Sequence, residues 1–133
     1  MAQVAYDLIG YSLNEAKFIN KQKENTYIGI SVIADYFNKD NNEYSIIIRV
    51  TSDFADEESY FVFQASYTIN DLNYYNSLDK NMRKSIFFST VFPFIREKIY
   101  SITSGSVPGL LIPTIDVRLI NFDKELRLIK QNL

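Results

Sequence analysis

Three stretches of alternating apolar and polar residues follow one another between Tyr27 and Ile69, and this succession limits the fold more than any other feature. In TYIGISVIADY, residues Ile28, Ile30, Val32, Ala34 and Tyr36 recur at every second position, the spacing of side chains on one face of a strand. After the polar turn FNKDNNE, Tyr44, Ile46, Ile48 and Val50 alternate with Ser45, Ile47, Arg49 and Thr51. SDFADEE closes that strand, and SYFVFQASYTI sets Phe61, Phe63, Ala65, Tyr67 and Ile69 on one face, with Tyr60, Val62, Gln64, Ser66 and Thr68 on the other. Consecutive strands joined by short polar turns predict an antiparallel meander with one face in need of cover.

The cover follows in the chain. Phe88, Phe92, Ile95, Ile99 and Ile102 recur at alternating spacings of four and three, which is one stripe of a helix. Pro93 lies within that stripe and lacks the amide hydrogen that would bond the carbonyl of Ser89, so a bend or a restart is expected there. Gly105 suits the helix end. Beyond Pro113 the chain alternates charge and apolar residues, with Val117, Ile120, Leu126 and Ile129 available to one side, and reads as a second helix. TIDVRLI within it also fits a strand, and Asn121 marks a break or a cap. Residues 1–24 show no clear period and read as an irregular arm or an edge strand.

Between the two expected helices, Ser101 to Ile115 carries no charge yet holds two prolines and two glycines. It therefore reads as a loop, and its Val107, Leu110, Leu111 and Ile112 either fold down to complete the core or form a binding patch.

Composition narrows the chemistry. The chain has 133 residues and neither cysteine nor histidine, which removes disulfides, thiolate catalysis, sulfur ligation of metal, and the commonest general base. No G-x-S-x-G, P-loop or GxGxxG pattern occurs, so no enzyme, cofactor or metal site is expected. Arg96 and Glu97 are adjacent on a helix and do not face each other. Asp53, Asp56, Glu57 and Glu58 lack the spacing of a calcium loop and read as a solvated turn. Tyr74 and Tyr75 are expected to pack where the chain passes from sheet to helix. A net charge of −2 gives no reason to seek nucleic acid. Apolar runs fall short of a membrane helix and the first residues lack a basic leader, so a cytoplasmic protein of one domain, residues 1–133, is expected, with no direct membrane insertion.

The chain resembles the protein-export chaperone family SecB. Phe92, Pro93, Arg96 and Glu97 match the family's F-P-x-x-R-E on its first long helix, and Ser101, Ser104 and Gly105 follow as in its serine-rich helix end. Pro108, Leu110 and Pro113 track its P-x-L-x-L-x-P loop, while Arg49, Val50 and Thr51 fall on its R-V-T. Departures are a shorter loop, Val107 in place of an aromatic residue before the first proline, and Gln64 where export members carry an acidic residue that contacts the translocation ATPase.

The resemblance implies an α+β fold, an antiparallel sheet of about four strands covered on one face by two helices. It implies an ATP-independent holdase that binds unfolded polypeptide clients in an apolar groove, under a lid formed by the loop. The client-binding residues would be Phe61, Phe63, Phe92, Val107, Leu110, Leu111 and Ile112. By their own position on a central strand, Phe61 and Phe63 belong to the core. The family's assembly implies a homo-oligomer, a dimer of dimers. Two client circuits stay open, general protein export or a dedicated client such as the antitoxin of a toxin–antitoxin system, and Gln64 tilts away from the export ATPase as a partner. The rival expectation is a carrier or sensor of a small apolar ligand, which requires a closed cavity rather than an open channel.

Overall fold

The computed structural model describes residues 4–18, 25–54, 57–103 and 126–131. Strands β1 (Tyr6–Lys17), β2 (Asn25–Asn38), β3 (Glu43–Phe54) and β4 (Glu57–Ile69) precede helices α1 (Leu72–Ser77) and α2 (Lys80–Thr103), and β5 (Leu126–Gln131) follows. The five strands form one antiparallel sheet in the order β1-β4-β3-β2-β5. The α+β class and the antiparallel sheet covered on one face by helices agree with the sequence, and the sheet carries a fifth strand. The described helices are α1 and α2. Leu126–Gln131, expected in a C-terminal helix, is instead a strand paired with β2. Gly105, TIDVRLI and Asn121 lie outside the described residues.

Strands β3 and β4 keep unbroken period-two alternation. Tyr44, Ile46, Ile48 and Val50 pair across with Tyr67, Ala65, Phe63 and Phe61, and all are buried beneath α2. Strand β2 keeps the expected phase only as far as Val32. Its register then shifts between Val32 and Ala34, because Ile33 is one residue more than β3 can pair. Ala34 and Tyr36, expected on the covered face, are therefore exposed on the other, while Asp35 and Phe37 turn towards the helices. The connection back to β3 passes through Asn42, whose φ of 55° is a left-handed conformation that asparagine tolerates well.

Helix α1 starts at Asp71, whose carboxylate accepts a hydrogen bond from the amide of Tyr74 at 3.0 Å, and Asp79 caps α2 by accepting from Met82 at 2.8 Å. Helix α2 runs through Pro93 without restarting. It buries Phe87, Phe88, Val91, Phe92, Ile95 and Ile99. Ile102, expected in this stripe, is exposed, and the buried row ends at Thr103, whose hydroxyl donates to the carbonyl of Ile99 at 2.8 Å. The polar group is thus satisfied inside the helix. Among the described residues no helix is long and apolar enough to cross a membrane.

Candidate functional site

Strand β1 is the sheet edge that lies beside α2. Its register slips twice, between Leu8 and Gly10 and between Leu13 and Glu15, so its helix-side residues are Tyr6, Leu8, Tyr11, Leu13 and Ala16. Tyr6, Leu8, Leu13 and Phe18 are partly buried against the core. Tyr11 is different. It stacks on Phe94 of α2, ring centroids 5.7 Å apart and planes at 25°, yet the two remain 38% and 45% exposed. An aromatic pair left in water beside half-buried Leu13 and Phe18 forms an apolar track along the β1 side of α2. Such a track can take apolar side chains from a ligand, because covering it removes surface from water.

Phe61 and Phe63 lie directly under this track. Phe63 is the register partner of Leu13, and Phe61 is that of Ala16 and lies 6.3 Å from the ring of Phe18. Both are 0% exposed, and Phe92 is also buried, stacked on Phe88 at 4.9 Å with the Arg96 guanidinium 5.8 Å from its ring centroid. In this chain they are covered by α2 and form core, as their place on the apolar stripes dictates. Val107, Leu110, Leu111 and Ile112 lie outside the described residues. The structure therefore brings Phe61, Phe63 and Phe92 together beneath a track whose exposed members, Tyr11 and Phe94, sequence reasoning missed. Their signal was faint, since Tyr11 sits in an aperiodic stretch and Phe94 falls beside the buried stripe of α2.

The opposite end of the same face is clamped by rings. Phe87 lies 4.7 Å from Tyr6 and 4.8 Å from both Tyr44 and Tyr67, and Tyr75 stacks on Phe37 at 4.8 Å. Tyr74 and Tyr75 do pack at the passage from sheet to helix, Tyr74 stacking on Tyr6 at 6.4 Å. Arg83 sets its guanidinium 4.2 Å from the Tyr75 ring centroid and donates from Nε to the carbonyl of Tyr75 at 3.1 Å. Tyr67 donates to the carbonyl of Phe87, and Tyr44 donates to Asp35 at 3.0 Å. Burial pushes the Tyr44 and Tyr67 hydroxyls well above their ordinary acidity range, with the Asp35 carboxylate adding to the shift at Tyr44. These phenols stay neutral and structural.

The other face of the sheet is free of described helices. Gln64 sits there between its register partners Ser12 and Ile47, and its Oε1 accepts from Asn14 Nδ2 at 3.3 Å. Shallow hollows flank it, one of about 370 Å³ lined by Ile9, Gly10, Tyr11, Ser12, Gln64 and Ser66, the other of about 160 Å³ between Ala34, Tyr36 and Ile47. Both are open to solvent rather than enclosed.

The fold has a counterpart among solved structures. The SecB-like chaperone Rv1957 of Mycobacterium tuberculosis, determined in complex with a ChAD peptide from the Rv1956 HigA1 antitoxin, superposes with a TM-score of 0.57. The chain has a SecB-like fold. The match covers 84% of this chain and 91% of Rv1957 at 13% sequence identity. A protein of unknown function from Streptococcus agalactiae matches more loosely, with a TM-score of 0.29 at 10% identity over 82% of this chain and 93% of that one. No family model and no curated protein matches the sequence. Within the SecB-like fold, β3 and β4 form the sheet centre and α2 is the long helix that carries the F-P-x-x-R-E residues.

Proposed function

We propose that this chain is a non-enzymatic, ATP-independent holdase that binds non-native polypeptide along the β1 side of α2. The observation that carries the reading is the exposed Tyr11–Phe94 stack on a SecB-like fold. Each Val, Leu or Phe of a client laid on such a track contributes up to about 1.5–3 kcal/mol, so a few contacts hold an unfolded segment without demanding one sequence. Val107, Leu110, Leu111 and Ile112 serve as the lid over the client. Phe61, Phe63 and Phe92 are the floor, reached only where α2 parts from the sheet. The working unit is a homo-oligomer, a dimer of dimers, in the cytoplasm.

A dedicated client is favoured over general export. The solved SecB-like neighbour holds an antitoxin peptide, and the neutral Gln64 lies on the outer sheet face where export members present a charge to the translocation ATPase. An antitoxin segment is therefore the client class to try first. The two hollows beside Gln64 are open, whereas a small-ligand carrier needs an enclosed cavity.

The test is suppression of aggregation. An unfolded client is diluted from denaturant with and without the protein, in the absence of nucleotide, and the assay is repeated with Leu110→Asp and Leu111→Asp combined. Retention of soluble client by the wild type at near-stoichiometric amounts, lost in a double variant with unchanged circular dichroism, supports both holdase and lid. No effect of the wild type on any client, an antitoxin peptide included, removes the reading.

A further inference from the structure

Sheet edges expose unpaired amide and carbonyl groups and invite strand addition. In this sheet the edges are treated unequally. Strand β1, at one side, is interrupted by register slips after Leu8 and after Leu13. Strand β2, near the other side, carries its bulge at Ile33, and among the described residues its stretch beyond Ile30 has no second partner. The regular part of the β2 edge is the part that β5 covers. There six consecutive pairs run from Asn25↔Gln131 to Ile30↔Leu126 without a slip. Bulges disturb a ladder and blunt an edge, so the stretch without one is the stretch best shaped for strand addition.

We propose that the β2 edge at Asn25–Ile30 is a strand-addition site for extended polypeptide, and that the chain's own C-terminal strand β5 is its resident occupant. The recognition is mainly through backbone hydrogen bonds, which every extended peptide can make, with the antiparallel register set by β2. A segment like LRLIKQ satisfies it, and an incoming segment must displace β5, which a tether holds near the site at high effective concentration. Among the described residues β5 pairs on one side only, over six residues, whereas β2 and β3 pair over most of their length. It is the strand of this sheet that can leave with the least loss. The site is separate from the Tyr11–Phe94 track, and its test needs no client.

The probe is a labelled peptide of residues 123–133, followed by fluorescence anisotropy against the full-length protein. In Leu128→Pro the central amide of β5 is lost and the resident strand is weakened. This variant should bind the peptide at least tenfold more tightly than the wild type. Thr26→Cys and Lys130→Cys combined place a disulfide between register partners in a chain with no cysteine of its own. Oxidation should abolish peptide binding and reduction should restore it. A peptide carrying the same proline should not bind, and an unrelated extended peptide should compete with the labelled one. The proposal is overturned if folded Leu128→Pro binds no better than the wild type, or if the locked and reduced forms bind equally. Should Leu128→Pro fail to fold, the locked and reduced comparison decides alone.

Discussion

Tyr44 donates its hydroxyl hydrogen bond to Oδ2 of Asp35 at 3.0 Å, between two strands whose register slips next to the acceptor. Asp35 is half-buried and faces the helices, whereas Tyr44 is 1% exposed and has no access to water in exchange. Removing the acceptor therefore costs more than removing the donor. Asp35→Ala should destabilise by about 1–3 kcal/mol, the penalty for an unsatisfied buried hydroxyl. Tyr44→Phe should cost less, since Asp35 can turn to solvent. Urea unfolding of both variants measures the order, and an equal or reversed order contradicts this account.

The buried phenols set an alkaline limit. Tyr44 and Tyr67 have folded-state acidities shifted upward from an ordinary value of 10.0, chiefly by burial. The folded state keeps their protons while the unfolded state releases them above that value, so their contribution is complete below about pH 10 and declines as pH rises further. Thermal melts should show stability falling above about pH 10. Absorbance at 295 nm should show Tyr44 and Tyr67 ionising only with unfolding, and Tyr44→Phe and Tyr67→Phe should each remove one late-titrating group.

Tyr11 and Phe94 are each more than one-third exposed, so replacing both should spare the fold. Tyr11→Asp with Phe94→Asp should leave circular dichroism unchanged and weaken client holding by about tenfold or more, the factor that about 1.4 kcal/mol represents. Phe63→Asp serves as the contrast, because a charge at a fully buried position unfolds the chain rather than disabling it selectively. Titration of client against light scattering separates the two outcomes.

Deleting Ile33 removes the unpaired residue while Val32↔Ile48, Ala34↔Ile47 and Asp35↔Ile46 keep their partners. Fold and Tyr44–Asp35 contact should survive, with stability within about 1 kcal/mol of the wild type, as for other changes away from the core. What should change is association, because the stretch of β2 beyond Ile30, which has no second strand beside it among the described residues, becomes regular. Size-exclusion chromatography at rising concentration should show higher oligomers in the deletion variant.

Legibility in the sequence followed continuity of period. β3 and β4 alternate without a break, and every residue from Tyr44 to Val50 and from Phe61 to Ile69 faces the side its parity requires. β2 could be read only up to Val32, because no glycine or proline announces a bulge at Ile33. β1 hides its pattern behind two slips that space Leu8, Tyr11, Leu13 and Ala16 by three, two and three, a rhythm that belongs to neither helix nor strand. β5 was misread because LRLIKQ is too short to show a period, and its partner strand lies about a hundred residues earlier, where local reading does not reach. At the site, the buried Phe61, Phe63 and Phe92 were visible as apolar stripes. Tyr11 and Phe94 were not, since their value comes from meeting each other across the gap between an edge strand and a helix.

The ring cluster around Phe87 has a mechanical consequence. It joins Tyr6, Tyr44, Tyr67 and Phe87, so β1, β3, β4 and α2 are riveted together at the pole where α2 begins. Elsewhere under α2 the described rings lie farther apart, as where Phe18 meets Phe61 at 6.3 Å. Opening of the structure is therefore graded along the helix: amide exchange slowest near Phe87 and faster towards Thr103. The tyrosines thus mark the hinge side of the joint between sheet and helix, and the last turns of α2 the side expected to part first.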